Sequence, residues 1–184
     1  RKGYAITLFE QSERLGGSLW DIPEALLPRT LIQEELSILE NMGVEIYLNT
    51  PVTSFVVGDE NTPFRIQSAV YDAVYVAGSD LTASKPWLEV DAHNAVVTDP
   101  VTLASRCCEG VFAGGGAVEA REVAIAGGIR LPRSPIRTLA DGRRAATSLD
   151  RYLQRVSLTA VRGNEGAYTT RLYTSLEGIE PMPL

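Results

Sequence analysis

Short apolar runs, each closed by glycine or proline, set the rhythm of this chain. Tyr4-Ala-Ile-Thr-Leu-Phe9 is β-branched and aromatic, which predicts a strand ending at Glu10. Gln11–Ser18 is polar and carries Gly16-Gly17, so it reads as a loop, and Trp20–Pro28 holds Pro23 and Pro28 and reads as irregular. From Thr30, apolar residues recur at Leu31, Ile32, Leu36, Leu39 and Met42, the spacing of one helix face, with Gly43 in the usual C-terminal position. Val44–Leu48 and Val52–Val57 read as strands, Gly58–Pro63 as a polar turn, and Phe64–Val70 as a short strand or the far arm of a hairpin.

Tyr71–Ala77 is an almost unbroken apolar run of the kind buried in parallel sheets, stopped by Gly78-Ser79. Between Asp80 and Glu109 the pattern supports a turn at Lys85-Pro86 and a short strand near Ala95–Thr98, and no long helix. Gly110–Ala113 predicts a buried strand that runs into the glycine turn Gly114–Gly116; Glu119–Pro132 has no readable period. Pro135 then opens a helix of about five turns with Ile136, Leu139, Ala140, Ala146, Leu149 and Leu153 on its apolar side. After Val156 the period is lost, and Gly178–Pro183 reads as an extended, linker-like finish. Strands alternating with helices predict an α/β fold built on a parallel sheet with covered faces.

Composition narrows the function classes without naming one. The 184 residues are 45% hydrophobic and 22% charged, a globular balance. A net charge of −6 without a basic run argues against a nucleic-acid partner. No apolar stretch approaches the ~18 residues that span a bilayer. No signal peptide is recognisable, and the expected compartment is the cytoplasm. The chain opens on Arg1 without an initiator Met, which reads as a cut point.

Single residues offer little chemistry. Cys107 and Cys108 are adjacent, do not form Cys-x-x-Cys, and with the lone His93 are too few for a metal site. Their ordinary reading is two small loop residues of a cytosolic protein; a catalytic thiol pair is the sharper alternative. His93 has no Ser or Asp partner at a recognisable spacing. Trp20 and Trp87 either border a ligand cleft or pack a satellite core. Arg143-Arg144 read as a solvated basic patch, and nothing marks Asp21 and Glu24 as an acid–base pair.

The order of short motifs is more specific. Phe9-Glu10, Gly16-Gly17, Ile22-Pro23, Leu27-Pro28, Glu34, Leu39, Gly43-Val44-Glu45-Ile46 and Asn49-Thr50-Pro51-Val52 are followed by Gly110-Val-Phe-Ala-Gly-Gly-Gly-Ala-Val118 and Ala140-Asp-Gly-Arg-Arg-Ala-Ala146. This order resembles the FAD domain of the pyridine nucleotide-disulfide oxidoreductase superfamily, most of all glutamate synthase small-subunit-like flavoproteins. The resemblance covers about residues 4–57, 71–79 and 95–155. It implies a three-layer FAD/NAD(P)-binding Rossmann-like domain over residues 1–155, with a parallel sheet, helices on one face and a small β-layer on the other, and residues 156–184 as a tail or linker.

It also implies cofactor-binding roles. Glu10 would accept hydrogen bonds from the ribose hydroxyls of FAD, with Gly16 and Gly17 beside the dinucleotide. Val52 would offer backbone to the adenine, Gly78 would stand near the end of its strand, and Gly115 and Gly116 would border the ribityl chain. Ile136, Arg137 and Thr138, at a helix N-terminus, would face the flavin ring. No side chain is expected to act as acid, base or nucleophile, because the flavin carries the hydride chemistry.

Three departures qualify this. No G-x-G-x-x-G occurs in the 184 residues, so the first βα unit is expected to be lacking. Only residues 77–109 separate the two central strands, too few for an inserted nicotinamide-binding domain, so NAD(P)H would bind a domain outside this chain. Finally, Gly116 stands where the family has the ribityl-binding aspartate, and Gly78-Ser79 where it usually has Thr-Gly.

The expectation is therefore the FAD-binding core of an NAD(P)H-linked flavoprotein oxidoreductase, inactive and free of FAD by itself. Its partners would be other domains or subunits of an electron-transfer protein, iron–sulfur ones among them. The alternative is a degenerate structural or interaction module of such a complex. A strand without its central neighbour would leave an open edge, for which a homodimer or a rearranged edge that covers the surface is expected.

Overall fold

The computed structural model describes residues 2–52, 55–56, 64–78, 88–91, 95–121 and 135–162. Among these residues, six strands and two helices follow in the order β1 (Thr7–Phe9), α1 (Arg29–Asn41), β2 (Glu45–Tyr47), β3 (Phe64–Ile66), β4 (Ala69–Tyr71), β5 (Val74–Val76), β6 (Val111–Ala113) and α2 (Pro135–Leu153). Two 3₁₀ segments, Gly17–Asp21 and Gly115–Arg121, follow the two glycine sites. The strands form three pairs: β1 parallel to β2, β3 antiparallel to β4, and β5 parallel to β6. The class is α/β with small parallel sheets, as the alternating pattern predicts.

The strands are shorter than the apolar runs that encode them. Tyr4 and Ile6 are exposed, and pairing is confined to Thr7–Phe9 against Glu45–Tyr47. The run 64–71 holds a complete hairpin, turning at Gln67 with φ 55°, in place of a single strand or one arm. Tyr71–Ala77 is interrupted at Asp72-Ala73, so Tyr71 ends β4 and only Val74–Val76 continues as β5. Among the described residues of 52–57, Val56 makes one bridge to Arg65, with hydrogen bonds of 3.0 and 3.1 Å. The expected strand near 95–98 is likewise reduced to bridges at Val96 and Thr98. Trp87, His93 and Lys85-Pro86 lie outside the described residues.

The core centres on β6. Val111, Phe112 and Ala113 are all at most 1% exposed, which requires cover on both faces of the strand. Val111 and Ala113 join Phe55, Phe64, Ile66, Leu88, Val96, Ala117 and Val118 in one cluster. Phe112 meets Tyr152 of α2 edge-on, with ring centroids 5.9 Å apart, as the two-residue period of a strand dictates. Gly110, at φ 78°, enters this strand where a Cβ would stand 2.7 Å from both the Phe64 ring and the Tyr152 hydroxyl.

Helix α2 buries a different stripe from the one its large apolar residues suggest. Leu139 and Ala146 are exposed, while Ala145 and Ser148 are buried. Small residues let the helix approach the 99–105 loop closely. There the Ser148 hydroxyl donates to Thr102 O at 2.6 Å, and Arg162 Nη1 donates to Ser148 Oγ at 2.7 Å. Arg162 Nη2 also reaches Arg144 O at 3.1 Å, so residues 156–162 fold back on α2. In α1 the stripe is narrower than its sequence period: Ile32 is buried and Leu36 and Leu39 are half-buried, whereas Leu31 and Met42 face solvent. Gly43 follows with φ 79°.

Candidate functional site: the ends of the parallel strands

Both parallel pairs end in turns shaped by glycine; the sequence-predicted site residues lie in or just beyond these turns, except Ile136, Arg137 and Thr138 at the start of α2. At the first, the loop after β1 is pinned to the loop after β2. Glu10 N–H donates to Tyr47 O (2.9 Å), Thr50 N–H to Glu10 O (2.8 Å) and Asn49 N–H to Ser12 O (2.9 Å). The Glu10 carboxylate accepts from Ser12 N–H at 2.8 Å and from the Ser12 hydroxyl, both on Oε1. Oε2 has no hydrogen-bond partner among the described residues, which leaves an acceptor at the strand end.

Gly16 (φ 104°) and Gly17 (φ 46°) then open the 3₁₀ segment. Only glycine fits at Gly16, because a Cβ would meet Trp20 Nε1 at 2.9 Å. Trp20 donates to Leu15 O at 2.6 Å and carries the Arg14 guanidinium 4.4 Å and the Arg29 guanidinium 5.6 Å from its ring centroid. It also lines a cleft of about 420 Å³ with Leu36, Ile46 and Leu48, so it borders a cavity and packs cations at once. Val52 packs against the main cluster. Gly78, at φ 127°, follows β5 with open space where a Cβ would be.

The second turn is more tightly built. Gly114 lies under Tyr75 of β5: a Cβ there would meet the phenol oxygen at 2.5 Å and Asp141 Cβ at 3.1 Å. Gly115, at φ 58°, donates its N–H to Asp141 Oδ2 at 3.0 Å, and a Cβ there would meet Thr138 Cγ2 at 3.0 Å. The other oxygen of Asp141 pairs with Arg144, whose Nη1 donates to Pro100 O at 3.0 Å. Burial, and then the charge of Asp141, push the Tyr75 phenol up to about 12, with Arg144 opposing. Tyr75 is therefore a neutral hydroxyl at physiological pH.

The structure thus brings Gly115 and Thr138 together and adds Tyr75, Asp141 and Arg144, which sequence reasoning missed. Asp141 and Arg144 carried a signal, the i,i+3 spacing of an acid and a base on one helix face. Arg143 is exposed and fits the solvated reading, but Arg144 is held in an ion pair. Ile136 and Arg137 fall in the first turn of α2. Among the described residues no cluster of three potential metal ligands occurs, and no helix is long and apolar enough to cross a membrane.

No family model matches the chain. It is similar to the glutamate synthase [NADH] of Saccharomyces cerevisiae, 28% identical over 87 residues, which is 47% of this chain and 4% of that protein. It is also similar to the NADP(+)-dependent formate dehydrogenase subunit beta of Moorella thermoacetica, 38% identical over 77 residues, 41% of this chain and 10% of that subunit. At low identity, these likenesses support the resemblance to the pyridine nucleotide-disulfide oxidoreductase family. It spans no more than a tenth of the length of these two curated relatives. Among solved structures, the Cu(II) complex of the HOCl-induced flavoprotein disulfide reductase RclA from Escherichia coli aligns with a TM-score of 0.31 at 22% identity, covering 80% of this chain and 31% of that one. The structure described as RclA alone gives 0.30 at 20% identity, covering 90% and 32%.

Proposed function

We propose that residues 1–155 are an FAD-binding-type domain of an NAD(P)H-linked flavoprotein oxidoreductase, of the three-layer Rossmann-like kind without its first βα unit, and that residues 156–184 are a tail or linker. The sequence likeness to glutamate synthase and to a formate dehydrogenase subunit supports this reading, as does the pairing of β1 with β2 and of β5 with β6 in parallel. In the complete protein Glu10, Gly16, Gly17, Val52 and Gly78 would serve the adenosine end of FAD. Gly115, Gly116 and Ile136–Thr138 would border the ribityl chain and the ring. NAD(P)H would bind a domain outside this chain, and other electron-transfer domains or subunits, iron–sulfur ones among them, would complete the path.

The residues present fit one end of FAD and not the other. Glu10 Oε2 is an available acceptor for a ribose hydroxyl. At the glycine turn, Gly116 offers no carboxylate, and the Gly115 N–H is already held by Asp141 Oδ2 at 3.0 Å. A ribityl or phosphate oxygen would have to displace a charge-assisted bond worth roughly 1.5–3 kcal/mol. That contact carries the proposal that this chain, by itself, does not retain FAD, and no flavin chemistry is assigned to its own residues. It also favours the second reading, a degenerate structural or interaction module of an electron-transfer complex, in which Asp141 closes the turn permanently.

Incubation with a large excess of FAD followed by desalting tests the proposal: the protein should emerge without flavin absorbance. Stoichiometric flavin in the desalted protein would overturn it. Sequence encoded upstream of Arg1 separates the two readings, since an intact G-x-G-x-x-G supports the enzyme and a degraded turn supports the module. Among the described residues β1 pairs only with β2, and Tyr4, Ile6 and Tyr47 are exposed beside it. We propose a homodimer that covers this edge, and a monomer at all concentrations in sedimentation would refute that.

A further inference from the structure

The vicinal thiols Cys107 and Cys108 have no part in the flavin reading, yet their surroundings are built. They sit in the turn between the Ser105 bridge and β6. Ser105 N–H donates to Val111 O (2.8 Å), Arg106 N–H to Val97 O (3.2 Å) and Val111 N–H to Cys108 O (3.3 Å), so the turn is held on three sides. Cys107 is exposed and Cys108 is half-buried; both are thiols, not a disulfide. Their Sγ atoms are 3.3 Å apart.

Cys107 Sγ also receives the backbone N–H of Glu89 at 3.3 Å and lies 3.3 Å from the Ser105 hydroxyl. A backbone N–H can only donate, so this environment favours the thiolate on Cys107. The acidity that these surroundings impose agrees with the geometry. Burial alone would raise Cys107, but the bonds from Ser105, Glu89 and Cys108 outweigh it and lower the thiol below its ordinary value. Burial, followed by the neighbouring Cys107, pushes Cys108 up to about 11. One sulfur is thus prepared as the nucleophile, and its neighbour stays protonated.

We propose that Cys107 and Cys108 form a peroxide-reactive dithiol site, in which Cys107 attacks a hydroperoxide and Cys108 resolves the product to a vicinal disulfide. In the first step the Cys107 thiolate takes the distal oxygen of ROOH. The O–O bond breaks, the alkoxide or hydroxide leaves and is protonated by water, and Cys107 becomes a sulfenic acid. In the second step the Cys108 sulfur attacks Cys107, the S–S bond forms, and the sulfenic oxygen leaves as water with the Cys108 proton. Two thiols and one hydroperoxide give one disulfide, one ROH and one water. The resolving sulfur is already in van der Waals contact, so the ring closes faster than a second oxidant arrives. Adjacent Cα atoms are ~3.8 Å apart, shorter than the roughly 4.4–6.8 Å of a relaxed disulfide, so the bridge is strained and readily reversed by thiols.

The test is equimolar hydrogen peroxide on the full 184-residue chain, followed by intact mass and peptide mapping. The expected product is two mass units lighter (two hydrogens lost), with the bridge inside the Cys107–Cys108 peptide, and dithiothreitol restores the starting mass. Cys108→Ser should leave the first step within about twofold and accumulate a dimedone-reactive sulfenic acid at Cys107, whereas Cys107→Ser should slow peroxide reaction about tenfold or more. Ser105→Ala, which removes a hydroxyl beside the nucleophile, should slow it severalfold with the fold intact. Equal alkylation rates for the two cysteines in the native chain would overturn the proposal. So would dimers linked through Cys107, or a peroxide rate no faster than that of free cysteine.

Discussion

The two parallel strand pairs have the same local construction and opposite fates. β5–β6 lies at the centre of the molecule: all of β6 is buried, and both of its faces are packed. β1–β2 lies at the margin. Every residue of β1 is only half-buried, β2 leaves Glu45 and Tyr47 in solvent, and the flanking Ile6 and Leu48 are exposed. The apolar runs that encode β1 and β6 are equally convincing, so residue type does not explain the contrast. It is explained by what covers each strand. β6 has α2 on one side and the Phe55–Phe64–Val96 cluster on the other, whereas β1 meets the core mainly through Phe9, edge-on to Tyr71 at 6.1 Å. A strand contributes stability in proportion to its neighbours, and the turn after β6 is correspondingly the more closely packed one.

The comparison breaks most readily at the paired aromatic position. Phe112→Ala should cost about 3–5 kcal/mol in denaturant unfolding, against roughly 1 kcal/mol for Leu8→Ala on half-buried β1. Equal costs would mean that Leu8 is packed as tightly as Phe112, and the contrast between the two pairs would fall. A sharper contrast uses two glycines of nearly identical φ, Gly110 at 78° and Gly43 at 79°. Alanine at Gly43 meets open space and should cost about 1 kcal/mol, the backbone penalty alone. At Gly110 the Cβ would collide with Phe64 and Tyr152, and a further 1–3 kcal/mol or so is expected from overpacking. A similar loss at both positions would remove the packing argument.

The smallest effect is a pH dependence on the central side. Burial alone would raise Asp99, but its carboxylate accepts from the Thr102 N–H, the Thr102 hydroxyl and the Val101 N–H, and these hold it below the ordinary carboxylate value, with Arg106 assisting. A folded-state value below the unfolded one contributes stability that is complete above a pH of about 4 and is lost as pH falls through the folded value. Asp99→Asn should therefore be less stable than wild type at neutral pH and approach it as the pH falls below about 4. A gap independent of pH in parallel melts would show that the ionised form is not what the loop holds.

Much of the chain could be read before its structure was known. The helix at 29–41, the glycine after it, the strand at 111–113, the long second helix and the parallel α/β class all follow from local periods of two and 3.6 residues. Local signals fail where a tertiary neighbour decides. Leu139 looks like a core residue of α2 and is exposed, because the helix turns its small residues, Ala145 and Ser148, toward the 99–105 loop. Tyr71 looks like part of one strand with Tyr75, yet Asp72-Ala73 divides the run between a hairpin and a parallel pair.

At the candidate site the sequence by itself determined Glu10 at a strand end, glycines where the backbone needs positive φ, and the missing carboxylate at Gly116. These are properties of residue type and of short-range conformation. Only the tertiary structure decided that Asp141, twenty-six positions along the chain from Gly115, occupies that glycine's N–H, and that Cys107 has Glu89 N–H as a donor. Hydrogen bonds between distant segments leave no period in the sequence, because they depend on where the chain returns and not on what it repeats.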